Sequence, residues 1–299
     1  MKKIFFLIAA LSLFSSVAYG WGTIGHAAIA QIAEDHLNPK ARKVLAEYLG
    51  GKHLAEVASD ADKYRKVWLH DIGQEISNPN VLRLPRWREE LADVPTNMEP
   101  YSHSFTVDEE NQCLRYCILD GKYYVNSVME LSEIIKDLKE HAANMDPEER
   151  SIKIRLVIHL IGDMHCPGHV SYTSSKVKVK GGSTTAIVIG EKKTTLHKFW
   201  DSGIFSMAFH GLKYDGVAEL ADNARKKDIK KITSGDVFDW GHDNAESVLV
   251  GRTYKGEKIQ KGMNLPASFP DDMKPLCLSQ IRKGGYRLAA QLNELFGGK

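Results

Sequence analysis

The chain has 299 residues, 40 Lys and Arg against 38 Asp and Glu, 12 His and 43% hydrophobic residues. That length suits one large domain or two small ones. The charge balance supplies no basic patch, so an anionic partner has to be held by something else, for which bound metal cations are the obvious candidate.

Residues 1–20, MKKIFFLIAALSLFSSVAYG, carry two lysines, an apolar run and Ala18-Tyr19-Gly20. Small residues at the third-last and last positions suit a secretory signal peptidase. The apolar run is too short to span a bilayer and no second one follows, so no stable membrane anchor is expected. Its removal leaves a mature chain of residues 21–299, beginning at Trp21, in a secreted or periplasmic location. It also takes away Lys2 and Lys3, which brings basic and acidic side chains into balance.

Most of the mature chain reads as helix. Apolar positions at helical spacing mark 23–36, stopped by Asn38-Pro39, and Pro39 opens a second helix over 39–50 that ends at Gly50-Gly51. Further helices are predicted over 54–66, 122–145, 147–164, 194–202, 215–226, 236–251 and 273–296, with a long irregular excursion over 72–112. Residues 175–191 alternate apolar and polar around Gly181-Gly182 and predict a β-hairpin. The fold class is therefore all-α: one mainly helical domain with a small β excursion, and no internal repeat or interdomain linker.

Within 147–202 stand His159-x3-Asp163-x5-His169 and His197-x3-Asp201. Imidazole and carboxylate at i and i+4 share a helix face and can hold one metal ion or two neighbouring ones. Roughly 1.5 His-x3-acid pairs are expected by chance in this composition. The chain has three, and the third, His242/Glu246, reads as an ordinary helix pair.

Pro167 bends or ends the first helix and lets His169 turn back, while His165 points away from the Asp163 face. At the mature N-terminus, the Trp21 α-amino group titrates near neutrality and is available to a metal. Read alone, Trp21 is an apolar anchor, Asp62/Arg65 a surface ion pair and His103 a hydrogen-bonded side chain. Four cysteines in an exported chain permit disulfides. Cys113 and Cys117 could close a small loop, Cys277 stands alone, and Cys166 reads as a partly buried, unligated thiol in preference to a zinc thiolate; the pairing stays open.

Taken in order, these residues resemble the zinc-dependent, single-strand-specific nuclease family, the extracellular endonuclease/3′-nucleotidase type, whose fold is shared with bacterial zinc phospholipase C. Trp21-Gly22-x3-His26 matches its mature N-terminus, and Ala58 to Arg65 matches Ala-Ser-x-Ala-Asp-x2-Arg. His103 matches an isolated His, and residues 159–169 match His-x3-Asp-x-His-x-Pro-x-His. Gly181-Gly182, Leu196 to Gly203 and the C-terminal run 287–293 complete the series.

The resemblance implies three zinc ions. Asp62, His103, His159 and Asp163 hold one, and the Trp21 amine and carbonyl, His26 and Asp163 hold a close partner. His169, His197 and Asp201 hold a third. It also implies Asp62 and Arg65 as catalytic residues, the first orienting water and the second gripping phosphate, on a single-stranded nucleic acid or nucleotide substrate with no protein partner. The chain departs from the family pattern at Ser104, Thr106, Ser183, Thr195 and Cys166-Pro167-Gly168. The base-side changes motivate a phospholipase C-like or other small phosphoester hydrolase as the alternative, and a non-catalytic zinc-dependent binding protein as a second.

Overall fold

A computed structural model of the chain describes residues 21–63, 105–108, 116–119, 122–172 and 185–298. The first helices are α1 (Thr23–Asp35), α2 (Pro39–Tyr48) and α3 (Leu54–Val57), followed by a helical turn at residues 60–63. Then come α4 (Ser127–His141) and α5 (Pro147–Met164). The later helices are α6 (Leu196–Lys198), α7 (Ile204–Ala208), α8 (Tyr214–Ala221), α9 (Lys226–Ile232), α10 (Val237–Gly251) and α11 (Phe269–Phe296).

Local chemistry sets the ends of these helices. Asn38 accepts from the Ala41 N–H at 2.8 Å ahead of Pro39, whose missing N–H costs nothing in a first turn. Asp146 accepts from the N–H groups of Glu148 and Glu149 at 2.9 and 3.1 Å and starts α5, with both acids favourably placed in its first turn.

α1 is the hub. It packs along α11 and also meets α3, α5 and α8, while α5 packs on α4 and α11. Ala28, Ile29, Ile32 and Ala33 of α1 face Ile281, Leu288, Ala289 and Leu292 of α11 in one buried core. From Ile152 onward α5 is buried around almost its whole circumference, as a central helix must be. The α1/α11 approach is close because Gly284 and Gly285 carry no side chain. A Cβ on Gly285 would stand 2.5 Å from Ile32 Cγ2, and one on Gly284 3.1 Å from Ile29 Cδ1.

The strands are short. β1 (Phe105–Val107) runs parallel to β4 (Val170–Tyr172), with Phe105 opposite Val170, so β1 is tied to the segment that follows His169. β2 (Tyr116–Leu119) and β3 (Lys122–Val125) form a hairpin. β5 (Ala186–Ile189) pairs antiparallel with β6 (Lys192–Thr195) and parallel with β9 (Asn264–Leu265), while β7 (Thr253–Tyr254) and β8 (Glu257–Lys258) pair at the end of α10.

Several sequence expectations need correction. Residues 122–125 are strand, because the Lys-Tyr-Tyr-Val run pairs with β2 and Asn126 then caps the helix. A hairpin turn is observed at Gly190-Glu191, with Gly190 at φ 58°; the turn expected at Gly181-Gly182 lies outside the described residues. The helix expected over 215–226 is two: α8 stops at Ala221 and α9 begins at Lys226. The last helix starts four residues early, at Phe269. Among the described residues no helix is long and apolar enough to cross a membrane.

Adding a methyl at Gly285 overpacks against the stiff Ile32, which costs about 1–3 kcal/mol, and regains about 1 kcal/mol of helix propensity. Gly285→Ala is therefore expected to lower the unfolding free energy by up to about 2 kcal/mol. A urea midpoint equal to or above that of the parent chain would show that the α1/α11 contact has slack.

Candidate metal centre

α5 supplies His159 and Asp163 one turn apart, and α1 crosses it to present His26. His26 Nε2 lies 3.2 Å from Asp163 Oδ1, and His159 Nε2 lies 3.0 Å from Asp163 Oδ2. The two imidazoles stack with ring centroids 4.2 Å apart. Gly162 makes this crossing possible, since a Cβ there would lie 2.5 Å from His26 Nδ1. Asp62 joins from the turn after α3, its Oδ1 3.5 Å from His159 Nε2. His26, His159 and Asp163 are almost fully buried, whereas the Asp62 side chain keeps 19% exposure.

A second cluster adjoins the first. His169 spans the two, its Nδ1 3.9 Å from Asp163 Oδ1 and its Nε2 3.8 Å from Asp201 Oδ1. His197 Nε2 lies 3.2 Å from Asp201 Oδ2, and the His169 and His197 rings stack at 5.0 Å. Asp201 sits in a π-helical turn, Phe199–Gly203, where the Ile204 N–H reaches back to the Phe199 carbonyl. Such turns widen a helix locally and recur at functional sites. Trp200 pins this turn by donating its indole N–H to the Gly251 carbonyl at 3.2 Å. The Gly22 N–H donates to the Asp201 carbonyl at 2.6 Å, so the segment beginning at Trp21 is anchored beside the second cluster. Trp21 itself is fully buried against Phe205.

Supporting contacts fix how the rings face. His159 Nδ1 is 3.0 Å from the Ala58 carbonyl and His197 Nδ1 is 3.2 Å from the Gly168 carbonyl, so each ring donates there and turns Nε2 toward a carboxylate. This is the arrangement that orients metal-ligating histidines. His165 is different: Nδ1 donates to the Ile161 carbonyl at 2.7 Å and Nε2 accepts from Arg287 at 2.9 Å. Arg287 in turn holds Asp243 at 2.6 Å and the Ile232 carbonyl at 2.9 Å.

The electrostatics suit a cation. Burial, with His159 alongside, lowers the His26 pKa to about 4, which keeps that imidazole neutral and ready to donate a lone pair. Burial also opposes protonation of His159, but Asp163 and Asp62 outweigh it and raise its pKa to about 9. Burial raises Asp62 to about 7. Without metal, a proton on His159 therefore offsets buried carboxylate charge, and a bound cation would displace it. Neither ring nitrogen of His26 makes a hydrogen bond, nor does the buried Asp201 Oδ2, the condition expected of donors shaped for an ion. The donor set, imidazole nitrogen and carboxylate oxygen, is one that zinc accepts.

Of the residues expected from sequence, the structure brings together His26, Asp62, His159, Asp163, His169, His197 and Asp201, with Trp21 adjoining. Arg65 and His103 lie outside the described residues, as do Ser104, Ser183 and the Cys113/Cys117 pairing. His242 and Glu246, on α10, join neither cluster. Cys166 is fully buried rather than partly, and its sulfur lies 4.0 Å from Asp201 Oδ1. The supporting roles of Gly162, Ala58 and Gly168 were not anticipated. A glycine beside Asp163 inside a long helical pattern was the one visible signal.

Fold and cluster together define a mainly helical protein built around a buried, imidazole- and carboxylate-lined centre of metal-ligand type. Residues 21–297 match the S1/P1 nuclease family, and the chain belongs to that family. It is 27% identical to Endonuclease 2 of Arabidopsis thaliana over 93% of this chain and 91% of that one. It is 24% identical to Nuclease S1 of Aspergillus oryzae over 98% of each chain. Against Nuclease P1 of Penicillium citrinum the identity is 23%, covering 93% of this chain and 99% of that one.

Two outcomes test this geometry. Gly162→Ala is expected to push the His26 ring aside and cut metal affinity at least tenfold, on the order of what loss of ligand orientation costs elsewhere. Its far-UV circular dichroism should stay that of the parent, and undiminished metal content after dialysis would refute the steric argument. The second concerns His165, which burial and Arg287 lower to about 3. Between an unfolded pKa of about 6.5 and that value, only the unfolded chain takes up this proton, so stability falls with falling pH by about 1.4 kcal/mol per unit. His165→Gln keeps an acceptor for Arg287 and should flatten that limb in chelator-treated protein; an equally steep limb would place the titration elsewhere.

Proposed function

We propose that this protein is an exported, zinc-dependent phosphodiesterase that cleaves single-stranded RNA or DNA to 5′-phosphorylated products and hydrolyses 3′-nucleotides at the same centre. The observation that carries the reading is the joined pair of buried clusters, His26/His159/Asp163 and His169/Asp201 with His197 3.2 Å from Asp201, in a chain of the S1/P1 nuclease family.

Asp62, His103, His159 and Asp163 would hold one zinc ion, and the Trp21 amine and carbonyl, His26 and Asp163 its partner. The third falls to His169, His197 and Asp201. Bound zinc would supply an activated water and neutralise charge on the phosphoryl oxygens. Asp62 is the solvent-reached member of the first cluster and would orient the attacking water through its carboxylate. Arg65, three residues on, would grip a phosphate oxygen pair with its guanidinium fork. The Ala58 and Gly168 carbonyls hold His159 and His197 through Nδ1 and so turn Nε2 toward Asp163 and Asp201, where an ion would sit. Export is part of the scheme, since removal of residues 1–20 would create the free α-amino group of Trp21.

Protein with its N-terminus verified at Trp21 should contain close to three zinc per chain and release 5′-phosphorylated products from single-stranded nucleic acid. An N-terminal Met extension should cost one zinc and most of that activity; full activity with the extension would remove Trp21 from the ligand set. Release of phosphorylcholine from lipid, with nucleic acid left intact under the same zinc, would overturn the nuclease reading in favour of a phospholipase C-like enzyme.

A further inference from the structure

The turn after α5 departs from the family pattern at Cys166 and Gly168, and it runs along the second cluster. Cys166 and His169 are spaced Cys-x2-His on a tight turn: the Cys166 N–H donates to the Asp163 carbonyl and the His169 N–H to the Cys166 carbonyl, each at 3.0 Å. Cys166 Sγ, a His169 ring nitrogen and an Asp201 carboxylate oxygen all lie within 4.8 Å of one another, and all three residues are buried. Sγ is 4.0 Å and His169 Nε2 3.8 Å from Asp201 Oδ1. Donor atoms around one tetrahedral zinc stand roughly 3.3–3.7 Å apart, so both of these distances to Asp201 Oδ1 lie within a few tenths of an ångström of that spacing.

A further observation points to an ion there rather than an inert thiol. Asp201 Oδ2 is buried and accepts no hydrogen bond, although His197 Nε2 is 3.2 Å away. A Cβ placed on Gly168 would meet His197 Nδ1 at 3.2 Å and both Asp201 Oδ1 and Cys166 Sγ at 3.6 Å, so the glycine is what lets this turn pack directly on the three groups.

We propose that Cys166 is a fourth protein ligand, as thiolate, of the metal ion held by His169, His197 and Asp201. The inference rests on the metal-centre reading above. Coordination forms the metal–sulfur bond, and the S–H proton leaves to solvent, as it does for any thiol bound to such an ion. A site with four protein ligands is closed where a three-ligand site keeps a position open. The thiolate also selects for softer ions, cadmium or zinc over magnesium or manganese.

Cobalt(II) loaded in place of zinc into the chain beginning at Trp21 reads the bond directly. A near-ultraviolet thiolate-to-cobalt charge-transfer band is expected. It should persist in the triple variant C113S/C117S/C277S, in which Cys166 is the only cysteine left, and disappear in C166S and C166A. The Cys166 variants should also hold one cobalt about 10- to 100-fold more weakly. Three cobalt per chain without the band, or a band retained in C166S, would overturn the thiolate assignment and leave the three-ion centre standing. Failure of the parent chain to bind cobalt or zinc at all would overturn the metal-centre reading itself. The sole-cysteine variant decides the point even where a Cys166 variant does not fold.

Discussion

A carboxylate buried at the C-terminal end of a helix is the constraint on which this architecture turns. Asp163 lies in the last turn of α5 with only 1% exposure, where the helix's own carbonyls already concentrate negative charge. Leaving such a charge uncompensated costs several kcal/mol. The fold answers by surrounding it with imidazoles. His159 comes from the same helix and His26 from α1, while His169 arrives from the turn beyond. In the metal-free chain His159 carries the compensating proton, which is why its pKa rises to about 9 despite complete burial. A divalent cation answers the same demand with more charge and better geometry, and this couples the proposed metal centre to the packing of the two central helices.

That packing depends on removing atoms as much as on placing them. Gly162 gives the His26 ring room over α5, and Gly284 with Gly285 lets α11 close on Ile29 and Ile32 of the same α1. The helix carrying His26 is thus held between two glycine-lined contacts. The turn after α5 is secured from outside: the Asn244 side chain donates to the Met164 carbonyl, and the Arg252 guanidinium to that of Val170. Between them, Arg287 holds the His165 ring, with Asp243 and Lys283 completing the network. These polar contacts brace residues 164–170 while Asp163 and His169, at either end, face the centre.

The relatives share only 23–27% identity with this chain over more than nine-tenths of its length. One departure from the family pattern is explained by its contacts. The Thr195 hydroxyl accepts from the Lys198 N–H at 3.1 Å and caps the short helix that carries His197. Cys166-Pro167-Gly168 is a departure of another kind, because it sets the Cys166 sulfur 4.0 Å from Asp201 Oδ1.

Spacing alone showed which residues could be ligands. His159/Asp163 and His197/Asp201 are one turn apart, and the resemblance to the nuclease family attached Trp21, His26 and Asp62 to them. Most of the main helices were equally legible, because Pro39 at a helix start, Gly50-Gly51 at its end and apolar periodicity act within a few residues of one another. What the sequence did not reveal depends on partners far away in the chain. Residues 122–125 became strand because of a neighbouring strand, and the turn at Gly190 was fixed by the pairing of β5 with both β6 and β9. Only the crossing of α1 over Gly162 of α5 set His26 against Asp163. Only the return of the π-helical turn onto Gly22 and Gly168 set Asp201 beside His169, His197 and the Cys166 sulfur. Local interactions choose ligand types and helix ends, but the distances among donors belong to helix packing, and no periodicity encodes them.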